Sequence, residues 1–231
     1  IGRYLIFPNV QYLKRYNPEK TAFMKCREEA WRQHGVKRNA QRIWVPIGQI
    51  SPYVIKAVII AEDHKFWTHE GFDFEAMQKA LEKNMKQNKV KVGGSTISQQ
   101  LAKNLFLTPE KDPIRKIKEA ILTWRLEKHL SKRRILELYL NVAEWGDGIF
   151  GIEAAARYHY GRSAADLSAR QAATLAAILP NPIRYRTDGT SRYVQNQADR
   201  IYQIMVRQGV VIDDYDEIMR ENNGVIPWLY K

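Results

Sequence analysis

The chain has 231 residues, enough to bury a real core as one domain or as one domain with a small appendage. Its 37 Lys and Arg against 25 Asp and Glu give a net charge of +12, which points to an anionic partner: nucleic acid, a phosphorylated substrate or an acidic membrane surface. Cys26 is the only cysteine, excluding an internal disulfide and a cysteine-rich metal site, and no stretch approaches the roughly 20 apolar residues of a membrane span.

Residues 1–50 read as a lead-in and packing segment, and 51–231 as the main domain. The first residue is Ile1, and 1–8 fit the tail of a removed anchor. A helix is expected over 21–34, packing through Phe23, Cys26, Ala30 and Trp31. Residues 42–50, with Trp44, Val45 and Ile47 around Pro46, look extended.

Ser51-Pro52 then opens a helix, a capping hydroxyl followed by proline at the first helical position. Tyr53, Val54, Ile55 and 57–61 make it apolar on nearly every face, so it is a buried helix. It delivers Glu62 and Asp63 out of the core. If the helix runs on, Glu62, Phe66, His69 and Asp73 share one side, with Gly71 marking where it unwinds. A carboxylate emerging from apolar packing has a raised pKa, which suits a general base or acid. A salt-bridged helix end fits the same residues.

A helix over 74–85 comes next, then a polar, basic stretch over 84–92 that reads as a lid or as a plain linker. In 93–104, GGSTISQQLAKN, Thr96 and Gln99 form a capping box ahead of a helix. Its apolar side is Ile97, Leu101 and Leu105, while Thr96, Gln100, Lys103 and Asn104 line another. A glycine-rich loop feeding a helix N-terminus with a lysine further in suits phosphate, although Gly-Lys-Ser/Thr is absent and this is no nucleotide P-loop. Asp112-Pro113 opens a helix to about 130, with Ile114, Ile117, Ile121 and Trp124 as its expected core stripe. Arg115 and Glu119 lie four apart off that stripe, a spacing that also fits an ordinary solvated ion pair. Further helices are expected over 132–141, 152–160, 172–179, 193–208 and 214–221, with a tight loop at 145–151 and no clear strands. The fold class is mainly α.

Together these blocks resemble the peptidoglycan glycosyltransferases, which polymerise lipid II into glycan strands. The resemblance rests on EDHKFWTHEGFD (62–73), GGSTISQQLAKN (93–104), RKIKE (115–119), RRILELYLNVAEWGDGIFGIEAAARYHYG (133–161) and LSARQAATLAAILPNP (167–182), in that order. No downstream stretch resembles a transpeptidase, so the likeness is to the monofunctional type. It implies a lysozyme-like helical fold and work on the outer, periplasmic face of the bacterial cytoplasmic membrane, with an N-terminal anchor absent from this chain. It also implies Glu62 as catalytic base and Glu119 as a second catalytic carboxylate. Asp63, Phe66, His69, Ser95, Thr96, Gln100, Lys103, Asn104, Arg115 and Lys116 would form the substrate cleft.

The implied chemistry fits these residue types. A sugar hydroxyl needs a carboxylate to take its proton, whereas a diphosphate leaves readily if cations neutralise it. The family commonly uses a divalent cation, Mg or Mn, but no ligand set for one is legible. Implied partners are lipid II, the growing glycan strand, the membrane surface and other cell-wall synthesis proteins, with no nucleic acid. Leu105-Phe106-Leu107 is expected to dock as an apolar edge on an anionic bilayer. Two rival readings are a lytic transglycosylase or muramidase of the same fold, whose main carboxyl acts as an acid, and a basic nucleic-acid-binding module.

Overall fold

The computed structural model describes residues 2–87, 94–109 and 112–211. Its helices are α1 (Ala22–Gln33), α2 (Pro52–Glu62), α3 (Phe74–Gln87), α4 (Ile97–Phe106), α5 (Pro113–His129), α6 (Lys132–Val142), α7 (Ile152–Tyr160), α8 (Ala169–Ile178) and α9 (Arg192–Arg207). The fold is mainly helical, as expected.

Most starts follow the chemistry legible in the sequence. Thr21, Thr96, Asp112, Ser131, Ser168 and Ser191 each accept a hydrogen bond from a backbone N–H in the first turn that follows. The expected capping box of Thr96 with Gln99 forms, and Ser168 with Gln171 makes a second. Ser51 behaves differently. Its hydroxyl donates to the Leu167 carbonyl at 2.9 Å, so it ties α2 to the chain before α8 instead of capping its own helix.

The core is one continuous cluster. Helix α2 packs on α8 and α9, and α4 packs on α5 and α6. Val54, Ala57 and Val58 of α2, Ile97 and Leu101 of α4 and Ile135, Leu136 and Leu138 of α6 are fully buried. The segment before α2 is held by the side chain of Asn141, buried in α6. It accepts from the Val45 N–H and donates to the Val45 carbonyl, both at 2.9 Å. Glu137 accepts from the Ile47 N–H one turn earlier.

Four expectations change. Three short strands do form: β1 (Gln41–Arg42) pairs parallel with β3 (Ile149–Phe150), which pairs antiparallel with β2 (Glu144–Gly146). Two or three residues are too few for alternation to register in the sequence. Helix α3 runs through Gln87, so 84–87 are helical; 88–93, the rest of the expected loop, and the helix expected over 214–221 lie outside the described residues.

The stripe expected to be α5's core faces outward. Ile114, Ile117 and Trp124 are about half exposed, while Leu122, Thr123 and Leu126 are buried. This helix has two apolar stripes, and periodicity alone cannot say which one meets the core. Leu105 and Leu107, expected on a bilayer edge, are instead buried in the core, and Phe106 packs against it.

Replacing Asn141 with Ala would leave both Val45 backbone groups without their buried partners. Each unsatisfied group costs about 1–3 kcal/mol. At roughly 2–4 °C per kcal/mol for a chain of this size, thermal unfolding should show a loss of at least several degrees.

Candidate active site

The site forms where α2 ends. The helix stops at Glu62, and Asp63 leaves it with an extended φ of −164°, so the expected continuation that would align Glu62, Phe66, His69 and Asp73 does not occur. The four residues separate into different tasks.

Asp63 is buried and fully occupied. Its carboxylate accepts from His69 Nε2–H and from the Ile97 N–H, each at 2.9 Å. His69 Nδ1 accepts from the Gly71 N–H at 2.9 Å, which fixes the neutral tautomer that donates to Asp63. Thr96 Oγ1 donates to the Gly71 carbonyl at 2.7 Å. Gly71 itself has φ +94°, and a Cβ there would lie 2.9 Å from Glu127 Cγ, so only glycine suits this corner. Phe66 is wholly buried, with Lys132 Nζ 4.7 Å from its ring centroid. Lys132 also donates to Glu127 at 2.7 Å. Asp73 caps α3 through the Ala76 N–H.

Glu62 is the residue left facing outward. It is half-buried and lines a recess with Ala176, Pro180, Tyr193, Gln197 and Arg200. Its Oε2 accepts from Gln100 Nε2 at 2.7 Å, and Gln100 Oε1 accepts from the hydroxyl of buried Tyr139 at 3.0 Å. Tyr139 thereby fixes which end of the amide meets the carboxylate. Burial pushes the Glu62 pKa above the ordinary carboxylate value; the Gln100 hydrogen bond and the charge of Lys103 oppose this, and Asp63 adds to it.

A cationic group lies on the α4–α5 side. Glu119 is buried and shared by two cations: Oε2 accepts from Arg115 Nη1 at 3.0 Å and Oε1 from Lys116 Nζ. Lys103 is half-buried on α4, with Nζ 5.5 Å from the Phe23 ring centroid. Its pKa is lowered by burial first, and Arg115 and Lys116 push the same way against the pull of Glu119 and Glu62. Arg115 and Lys116 thus pair with the buried Glu119 carboxylate, and Lys103 lies within reach of its charge. Asn104 is buried beside Lys103 in the chain, and Ser95, half-buried, precedes the α4 cap.

Apart from Ser95 and Asn104, the expected residues thus fall into two groups. Glu62, Gln100, Lys103, Arg115, Lys116 and Glu119 form a polar, charged surface around α4. Asp63, Phe66, His69 and Thr96 form the buried joint that places it. No group of three or more His, Cys, Asp or Glu suited to a metal ion exists among the described residues, and both oxygens of Glu119 are already engaged.

The transglycosylase family model matches residues 27–206. The chain belongs to the transglycosylase family. It is 54% identical over 201 residues to a biosynthetic peptidoglycan transglycosylase of Nitrosospira multiformis, covering 87% of each chain. It is 48% identical over 209 residues to one from Methylobacillus flagellatus and 55% identical over 169 residues to one from Dechloromonas aromatica. The first of these covers 90% of this chain and 91% of the relative, and the second 73% of each.

Within this transglycosylase fold, Tyr139 of α6 contacts the candidate site, and nothing in the sequence but its hydroxyl separates it from the core. A buried phenol needs a partner.

The raised pKa of Glu62 makes a stability prediction. The folded state holds its proton to higher pH than the unfolded chain does, so stability falls as pH rises from the ordinary carboxylate pKa through the raised one. At pH 7 the charged form is the disfavoured one. Glu62→Gln should therefore raise Tm at pH 7, and the gain should fade near pH 4, about where free carboxylates protonate. A lower Tm at pH 7 would show that the charge is a net stabiliser.

Proposed function

We propose that this chain is a peptidoglycan glycosyltransferase that joins lipid II units into a β-1,4 glycan and releases the lipid diphosphate, with Glu62 as general base. The observation that carries this reading is the pairing of a proton-avid carboxylate with an anion site across one helix. Glu62 meets Gln100 of α4, and Lys103 of the same helix turns toward Arg115, Lys116 and Glu119. Membership of the transglycosylase family supports it, as do relatives named for peptidoglycan biosynthesis.

The step follows from these positions. The acceptor's sugar 4-hydroxyl approaches Glu62, whose Oε2 is held by Gln100, and gives its proton to the carboxylate as the oxygen bonds to the donor's anomeric carbon. The bond from that carbon to the diphosphate breaks on the opposite face, so an α-linked donor becomes a β-linked product. The electron pair leaves on the diphosphate, where Lys103, Arg115 and Lys116 stabilise it. One cation about 4 Å from a phosphate charge contributes on the order of 4 kcal/mol at an effective dielectric near 20, enough to change the rate by orders of magnitude. Glu119 keeps Arg115 and Lys116 aimed; as their shared partner it reduces their mutual repulsion. A divalent cation is proposed only as a companion of the substrate's own phosphates.

Glu62→Gln should lower polymerisation by about two to four decades with a folded protein, and the wild-type kcat/KM should fall on the acid side. Because the pKa is raised, that limb should lie above the ordinary carboxylate range. Tyr139→Phe frees the Gln100 amide to turn its oxygen toward a protonated Glu62, so the limb should move further up. Loss on the alkaline side would mark Glu62 as an acid, as a muramidase requires. Lys103→Ala and Arg115→Ala should each weaken turnover strongly, and Arg115→Lys should not restore it, because a point charge does not reproduce a guanidinium fork.

Peptidoglycan synthesis places the work outside the cytoplasm, and a lipid-linked substrate brings it to the outer face of the membrane. No described helix is long and apolar enough to cross a bilayer. The outward stripe of α5, Ile114, Ile117 and Trp124, is the surface we assign to lipid contact, together with Leu5, Ile6 and Phe7. Arg125 fixes that N-terminal turn onto α5 by donating to the carbonyls of Tyr4 at 3.0 Å and Ile6 at 2.7 Å. Lys118 and Lys128 lie over Tyr4 and Trp124 and bring positive charge to the same surface. Co-sedimentation with anionic vesicles should be strong at low salt and weaker at high salt. The pair Ile117→Glu and Trp124→Glu should reduce it about tenfold, a difference near 1.4 kcal/mol. Undiminished binding would move the contact elsewhere.

A further inference from the structure

Glu62 has a second wall, to which Lys103, Arg115 and Lys116 do not contribute. Its recess is closed by α8 and α9 through Ala176, Ala177, Pro180, Tyr193, Gln197 and Arg200. The ring of Tyr193 stacks on that of Tyr185, with centroids 4.6 Å apart and planes at 21°. Tyr185 in turn lines a neighbouring cleft of about 520 Å³, within the range of small-ligand sites. The stacked pair is thus the shared wall of two depressions, one of which holds Glu62.

The second cleft is firmly built. His159 Nε2–H donates to the Trp145 carbonyl at 2.9 Å, and its Nδ1 accepts from Thr187 Oγ1 at 3.0 Å, which joins α7, the β2–β3 hairpin and the 181–190 loop. The surface presents flat apolar groups, Tyr158 at 66% exposure and Ile183 at 50%, beside Tyr185. Its charges are balanced: Arg186 pairs with Asp188 at 3.0 Å, and Asp147 with Arg38 at 2.8 Å. Balanced charge disfavours a phosphate or an anionic lipid. Flat aromatic faces edged by carboxylate and guanidinium suit a neutral, polyhydroxylated ring, with C–H groups on its face and hydroxyls around its rim.

We propose that the Tyr193–Tyr185 stack and the cleft behind it bind the carbohydrate of the substrate, holding sugar residues of the glycan on the side of Glu62 away from the diphosphate. This rests on the glycosyltransferase reading and adds to it a saccharide site on α7, α9 and the 181–190 loop. Such a site retains a strand between successive couplings, so it bears on product length.

The test uses a lipid-free, uncharged β-1,4-linked N-acetylglucosamine tetrasaccharide as the probe of the sugar backbone, with binding read by ligand-observed NMR, and the length distribution of polymer made from lipid II. Tyr185→Ala, Tyr193→Ala and the exposed Tyr158→Ala should each weaken tetrasaccharide binding about tenfold and shift products to shorter strands. Tyr12→Ala, at an exposed tyrosine outside both clefts, should bind as wild type does. Thermal unfolding identifies variants that keep the fold, and Tyr158→Ala, which removes an exposed ring, serves if the stacked pair proves structural. Unchanged binding and unchanged length in folded variants would overturn the proposal, as would a tetrasaccharide signal abolished only by Lys103→Ala. The two readings fail separately. A wild type that binds the tetrasaccharide through these tyrosines but makes no polymer would defeat the glycosyltransferase reading and leave the saccharide site standing.

Discussion

Asp63 carries a buried carboxylate across the break at the end of α2 and places it on the first N–H of α4, with His69 holding the other approach. A buried carboxylate with incomplete hydrogen bonding is expensive, so this contact tolerates little displacement. Because it fixes the start of α4, it also fixes Gln100 one turn later beside Glu62, and Lys103 beyond it. His69, Gly71 and Thr96 contribute by closing the loop around the same joint. The positions of Glu62 and Lys103 are therefore set by one largely buried knot.

The charged groups on either side of α4 have opposite problems. Glu62 suffers from burial and from Asp63, and it receives relief from Gln100 and Lys103. Lys103 suffers from burial and from two neighbouring cations, and it receives relief from Glu119 and Glu62. Neither is neutralised by a contact ion pair between them among the described residues. An anion arriving at Lys103 would relieve that lysine, while a hydroxyl proton transferred to Glu62 would relieve that carboxylate. The resting site is thus electrostatically disfavoured in the two respects that a diphosphate donor and a sugar acceptor correct together.

Local signals in the sequence located the ends of elements well. Thr96 with Gln99 and Ser168 with Gln171 specify helix starts through contacts three residues apart, which the sequence displays directly. The site residues were legible as a set because they sit in compact blocks. Their division of labour was not, since it depends on contacts such as Tyr139 with Gln100, 39 residues apart. Helix α5 shows the same limit in packing. Ile114, Ile117 and Trp124 make as good a stripe as Leu122 and Leu126, and only the arrival of α4 and α6 decides which is covered. The small sheet was invisible for a related reason, because β1 and β3 meet across more than a hundred residues of chain.

The exposed stripe of α5 also explains how its inner face can be so polar. Glu119, Thr123 and Arg125 are buried on α5 beside Leu122 and Leu126 while Ile114, Ile117 and Trp124 face out, a partial inversion of an ordinary surface helix. Each buried group has a partner: Thr123 donates to the Glu119 carbonyl, Arg125 to the carbonyls of the N-terminal turn, and Glu119 accepts from Arg115 and Lys116. In water such an inversion wastes apolar surface on one side and desolvates charge on the other. Against a lipid surface the first of these costs disappears, because the outward stripe is then buried as well. The second is offset by the two cations that the buried carboxylate holds. Both faces of α5 thus make energetic sense when one meets the bilayer and the other supports the headgroup end of a lipid-linked substrate.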